Sequence, residues 1–155
     1  MKRTMVILSL AAILAPATAE EPRAPQTKPA PLDANPSTNT PRTRALEVAA
    51  AYRNQGHALR DGFWRGVLEK NKPVTIAVHL FAKNNYSFHA AHLAPGTMIR
   101  LAIFDPQGNS MGGEELAGEN SATAGVSPTR SGRYYVRLEL TKGDKADTCM
   151  VYSYK

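Results

Sequence analysis

The chain has 155 residues, is 43% hydrophobic, carries a formal net charge of +6 and contains a single cysteine. One thiol cannot close an internal disulfide, so the folded part must be held by its apolar core. The positive charges are scattered, without the basic stripe and interleaved aromatics of a nucleic-acid binder, which argues against nucleic acid as a partner.

The first nineteen residues have the layout of a secretory leader. Lys2 and Arg3 precede an uncharged apolar run over residues 5–15, Pro16 breaks it, and Ala17-Thr18-Ala19 gives a small-x-small cleavage site. The run falls short of the ~20 residues that a spanning helix needs. This predicts a signal peptide over 1–19 and an exported protein, periplasmic or extracellular, with no transmembrane segment after cleavage.

Residues 20–41 are punctuated by Pro22, Pro25, Pro29, Pro31, Pro36 and Pro41, with Leu32 as the only large apolar side chain. Such a segment buries too little to offset its ordering entropy, which predicts a disordered linker. One short helix is expected within 42–60. Thr40 suits its N-cap, Pro41 the first position and Gly56 the stop. Ala45, Val48, Ala49 and Tyr52 recur at helical spacing, and this alanine-rich stripe predicts a helix that docks on something larger.

From Phe63 onward the period is two. Val74, Ile76, Val78 and Leu80 alternate with Thr75, Ala77 and His79, and Tyr86, Phe88 and Ala90 with Ser87 and His89. Ile99, Leu101 and Ile103 form a third set, Tyr134, Val136, Leu138 and Leu140 a fourth, and a last strand is expected at about Thr148 to Tyr154. Turn residues at 83–85, 94–96, 105–108, 131–132 and 142–144 separate them. Alternation, short spacing and no intervening helical pattern predict an antiparallel, jelly-roll-like β-sandwich over 61–155. Cys149, between Thr148 and Met150, reads as a buried strand residue.

Gly108-Asn109-Ser110-Met111-Gly112 matches the nucleophile elbow of serine hydrolases. That elbow needs a helix after the serine and a histidine further along the chain. His57, His79, His89 and His92 all precede Ser110, and no helical pattern follows it. Asp105-Pro106-Gln107-Gly108 suits a type I turn, so Ser110 is read as a loop residue.

"GTMIRLAIFDPQGN", followed by "VSPTRSGRYYVRLEL" over Val126 to Leu140, resembles the bacterial pre-peptidase C-terminal domain, a jelly-roll-like sandwich of secreted proteins. Upstream, "VTIAVHLFAKNNYSFHA" is similar to that family's paired strands, with Tyr86-Ser87-Phe88 at their end. The resemblance implies a fold but is nearly silent on function. Family members often accompany exported hydrolases, whereas no catalytic domain is expected within these 155 residues.

Three constellations remain. His79, His89 and His92 could converge on a metal if the first two point outward from neighbouring strands, but surface histidines without a metal fit the pattern better. Asp105, Glu114, Glu115 and Glu119 bracket one loop region without the ligand pattern of a calcium site, and Asp105 more simply caps its own turn. Among the aromatics Trp64, Tyr52, Tyr135, Tyr152 and Tyr154, Tyr135 stands out, because parity puts it with Arg133 and Arg137 on one outer face. That row suits an acidic polymer or a carboxylate, and equally suits ordinary cross-strand pairs. The expected function is a non-catalytic binding or interaction module without a cofactor, acting on a cell-envelope polysaccharide or another exported protein. The alternatives are a small metal-binding protein or enzyme using His79, His89 and His92, and an envelope-structural protein with no dedicated ligand.

Overall fold

The structure is a computed structural model. It describes residues 39–111 and 115–155. The leader, and the linker up to residue 38, lie outside the described residues.

Helix α1 runs from Pro41 to Arg53. Thr40 is extended and its hydroxyl accepts from the Thr43 amide at 3.1 Å, while Pro41 occupies the first turn where no amide is needed. The helix is therefore shorter at its end than the expected 42–60, and Pro41 belongs to it rather than to the linker. Gly56 sits at φ 86°, a left-handed conformation that costs glycine little. There the Gly56 amide donates to the Arg53 carbonyl at 3.0 Å and the His57 amide to that of Tyr52 at 3.2 Å. This Schellman-type closure satisfies the last carbonyls and sets His57 back against Tyr52.

Strand β1 (Ala58–Leu59) follows at once, then β2 (Trp64–Glu69), β3 (Val74–Leu80), β4 (Tyr86–His92) and β5 (Met98–Phe104). The remaining strands are β6 (Glu115–Ala117), β7 (Ser121–Val126), β8 (Gly132–Lys142) and β9 (Lys145–Tyr154). They form two sheets, and every pairing is antiparallel. The larger sheet has the order β1-β9-β4-β7-β6, with β2 also on the β1 edge of β9. The smaller has the order β3-β8-β5. The antiparallel sandwich expected from alternation is the observed architecture. Strands β1, β2, β6 and β7 were not expected, and β1 falls inside the span expected to hold the helix. Ala122 and Ala124 do alternate with Ser121 and Thr123, but such small side chains carry little hydrophobic signal. Val126 ends β7 and does not open β8.

Between the sheets lies one core. Phe88, Tyr86, Leu68 and Met150 come from the larger sheet, and Leu80, Ile99, Leu101, Ile103, Val136 and Leu138 from the smaller. A second, smaller cluster lies on the opposite face of the larger sheet. There Ala45 and Ala49 of α1 pack on Ala91, Cys149 and Val151. Alanines on the helix and small side chains on the strands allow close approach, so the helix seals this face over β4 and β9, while Arg65 and Val67 of β2 stay exposed beside it. As a result all seven residues of β4 are buried, in place of the expected alternation with an exposed face.

Candidate functional site

The sealed face holds a polar network beneath α1. His89 is 0% exposed and points from β4 toward the helix. Its Nδ1 lies 3.3 Å from Thr123 Oγ1 of β7, and its Nε2 lies 3.2 Å from Ser153 Oγ of β9. Ser153 Oγ is in turn 3.3 Å from His57 Nδ1, and the Tyr52 ring packs on both imidazoles, 4.6 Å from His89 and 5.8 Å from His57. A serine hydroxyl has one proton, so Ser153 can donate to one imidazole while accepting from the other. All four side chains can thus be satisfied with both rings neutral. Burial drives the His89 pKa down to about 4, with a smaller contribution from the charge of His57. The His57 pKa is lowered by burial and then by Lys155. A cavity of about 450 Å³ opens beside the network, lined among others by Tyr52, His57, Thr123 and Lys155.

His57 was no part of the metal reading; the Gly56 stop before it was the available signal. The histidine trio that was considered does not form. His79 lies on β3 and His89 on β4, which belong to different sheets, so they cannot be cross-strand neighbours. His92 is not in the following loop but ends β4, and it is fully buried. Neither of its ring nitrogens has a well-formed hydrogen bond, and burial lowers its pKa against a smaller opposing effect of the Ala94 backbone. The surface reading holds only for His79. No group of three or more metal-ligating side chains occurs among the described residues.

The outer face of the smaller sheet is open. Tyr135 sits at its centre on β8, between Ala77 of β3 and Phe104 of β5. Along the same strand, Arg133 pairs with His79 and Arg137 lies between Thr75 and Ala102. Glu139 meets Arg100 at 2.8 Å and Arg137 at 3.3 Å. The structure therefore places Arg133, Tyr135 and Arg137 on one face, with Arg100 beside them and Glu139 as the counter-charge.

Ser110 stands on an exposed corner. The Gly108 amide donates to the Asp105 carbonyl at 3.0 Å, which closes the turn, and Ser110 bridges back to Phe104. Asp105 Oδ1 accepts from the amides of Gln107 and Asn109 at 2.9 and 2.8 Å, and its Oδ2 accepts from Asn109 Nδ2 at 2.8 Å. The Asn109 side chain foremost, then these amides, hold the Asp105 carboxyl below its usual range. Its oxygens are committed to the turn. The side chains of Glu114 and Glu115 lie outside the described part. Cys149 is buried under α1.

No helix among the described residues is long and apolar enough to cross a membrane. No protein-family model matches the sequence, and no curated protein matches it. Among solved structures the chain is similar to PliG of Aeromonas hydrophila, a periplasmic lysozyme inhibitor of g-type lysozyme. The two are 12% identical with a TM-score of 0.46, and the match covers 65% of this chain and 90% of that one.

Proposed function

We propose that this protein is an exported, non-catalytic binding module whose contact surface is the outer face of the three-stranded sheet. The observation that carries the reading is the contrast in cover. The outer face of the larger sheet is covered by a helix over β4 and β9, where the buried His89 and Ser153 are paired within, whereas the smaller sheet carries no such cover and presents Arg100 and Arg133 to solvent, with Tyr135 and Arg137 half-exposed. Arg100 and Arg137 share one carboxylate, Glu139, and Arg133 has no ion-pair partner among the described residues. A planar cationic fork next to an aromatic face suits a partner that offers carboxylates.

Export is supported by the leader pattern at 1–19. The non-catalytic reading is supported by the position of Ser110 on a hairpin corner and by Ser153, which is 1% exposed with its hydroxyl held between two imidazoles. The partner is read as an exported protein with an acidic surface. The pre-peptidase C-terminal likeness is kept as a proposal about ancestry and adds nothing to the choice of partner.

Poly-glutamate serves as the test probe, with a neutral glycan and peptidoglycan fragments as comparisons. Salt-sensitive binding of poly-glutamate, weakened about tenfold or more by Arg133→Glu with Arg137→Glu, is expected. Binding that ignores both arginines and Tyr135→Ala places the contact elsewhere, and glycan binding without poly-glutamate binding overturns the acidic partner.

A further inference from the structure

The sandwich is not closed along β3. The larger sheet is five strands wide and the smaller only three, and among the described residues no strand pairs with the outer edge of β3. The consequence is visible in the core row of that strand. The inward-pointing Val74, Ile76 and Val78 are only half-buried, while Ile99, Leu101, Val136 and Leu138 on the neighbouring strands of the same sheet are fully buried. The gap is a slot of about 260 Å³ lined by Ile76 and Val78 on one side and Trp64, Met150 and Tyr152 on the other, with Phe63 at its mouth. Phe63 is 49% exposed, a large apolar side chain left in water beside an open core.

The slot is built in detail. Trp64 lies flat along β2 over Gly66, where a Cβ would come within 2.5 Å of Trp64 Cζ2, so any other residue at 66 would displace the indole from the wall. On the rim, the Arg42 guanidinium stands 4.5 Å from the centre of the Phe63 ring, and that of Arg60 stands 5.9 Å from that of Tyr152. Neither arginine has an ion-pair partner among the described residues. Asp61 is the single acid on this rim among the described residues.

We infer that the free edge of β3 and the slot beside it form a second docking site, which takes an extended segment of a partner protein bearing apolar side chains alternating with polar ones and a carboxylate at one end. The segment adds a fourth strand to the smaller sheet. Its backbone groups pair with the unpaired edge of β3, and its inward side chains fill the slot against Trp64 and Tyr152. Its carboxylate sits by Arg42 and Arg60, whose guanidinium groups are already oriented over aromatic rings and unpaired. A peptide is favoured over a lipid or a sugar because only a peptide can use the strand edge. This site is independent of the Arg133–Tyr135–Arg137 face.

The chain contains one tryptophan, and Trp64 lies in the slot wall, so its fluorescence reports occupancy directly. The probe is a peptide of alternating valine and threonine with the seven-residue length of β3, ending in glutamate, with a lysine-ended version as its charge control. Expected are a blue shift of Trp64 emission on titration, new protection of β3 backbone amides in hydrogen exchange, and binding about tenfold tighter for glutamate than for lysine. Phe63→Ala and the pair Arg42→Glu, Arg60→Glu each change groups on the rim and should weaken binding about tenfold, while Arg133→Ala leaves it unchanged. No shift of Trp64 up to about 1 mM peptide overturns the proposal, as does a shift without amide protection. A shift produced by a long-chain alkyl probe but not by the peptide makes the slot a lipid site and overturns it too. If deleting residues 20–38 alone exposes Trp64, the chain's own arm is the occupant and the separate partner falls. Loss of peptide binding in Arg133→Ala would move the contact to the open face.

Discussion

On the larger sheet, the residues that alternate with the core row are Ser87, His89 and Ala91 on β4 and Cys149, Val151 and Ser153 on β9. On the smaller sheet their counterparts on β8 are Arg133, Tyr135, Arg137 and Glu139. The first set is buried under α1 and the second is open to water. The first is small or can be satisfied by a neighbour's hydroxyl, and the second is long, charged or aromatic. An outer face meant to be covered must be able to pair all of its polar atoms at short range. His89 meets that demand through Thr123 and Ser153. On the other face Arg100 and Arg133 keep their charged ends in solvent, whereas Arg137 is half-buried, with its Nε buried and without a hydrogen bond among the described residues and its Nη2 3.3 Å from Glu139.

That contrast rests on one shared core, and the largest effect tests it. Leu138 is fully buried on β8, with its neighbours Arg137 and Glu139 facing outward. Leu138→Ala is expected to cost about 2–5 kcal/mol in denaturant titration. The loss should weaken both faces together, because the sheets hold each other. A loss confined to binding at the open face, with unfolding unchanged, would mean that the core does not run through this position.

The second effect belongs to the sealed face alone. His89 has a folded-state pKa of about 4 against an ordinary value of 6.5. A lowered histidine pKa means that the unfolded chain takes up the proton first. The stabilisation is therefore complete above pH 6.5, shrinks as the pH falls below it and is gone below pH 4. Across that window about 3 kcal/mol should be lost, since each pKa unit is worth about 1.4 kcal/mol. His57 and His92, also lowered, add to the slope in the same direction. Urea titrations at several pH values between 7.5 and 4 check this. His89→Gln, whose amide can still bond Thr123 and Ser153, should flatten most of the dependence. An unchanged slope in that variant would move the sensitivity to the other two histidines.

How far could the sequence reveal these two faces? Alternation marks Val136 and Leu138 as inward and Tyr135 and Arg137 as outward, and the structure agrees at each. The helix, its Thr40 cap and its docking stripe were also legible, because capping and periodicity are local. What covers an outward row is not local. Nothing between residues 86 and 92 says that α1, some forty residues earlier, will lie across them. For that reason His89 read as a surface residue and its link to His57 went unseen. The pairing of sheets was equally hidden. His79 and His89 look like neighbours in a hairpin, but β3 and β4 go to opposite layers, and hydrophobic period does not encode the layer. Strands made largely of alanine, serine and threonine, such as β7, carry too little hydrophobic contrast to show a period.

The smallest effects are expected on the open side, where they separate folding from binding most cleanly. Arg133 is exposed at the edge of the Tyr135 row, and Ser110 is exposed on the Asp105–Asn109 corner, whose hydrogen bonds come from Asp105 and the backbone. Neither side chain fills a cavity or satisfies a buried partner. Arg133→Ala and Ser110→Ala should each leave the unfolding free energy within about ±0.5 kcal/mol. Their consequences for function should differ. Arg133→Ala removes a cation from the proposed contact face and should weaken poly-glutamate binding, most visibly at low salt, where surface charges are least screened. Ser110→Ala should change neither binding nor any hydrolytic background. An esterase or peptidase activity that disappears with Ser110→Ala would make the hairpin corner a catalytic site and overturn the non-catalytic reading. A binding curve that ignores Arg133→Ala at every ionic strength would show that the open face, although uncovered, is not the one that recognises the acid.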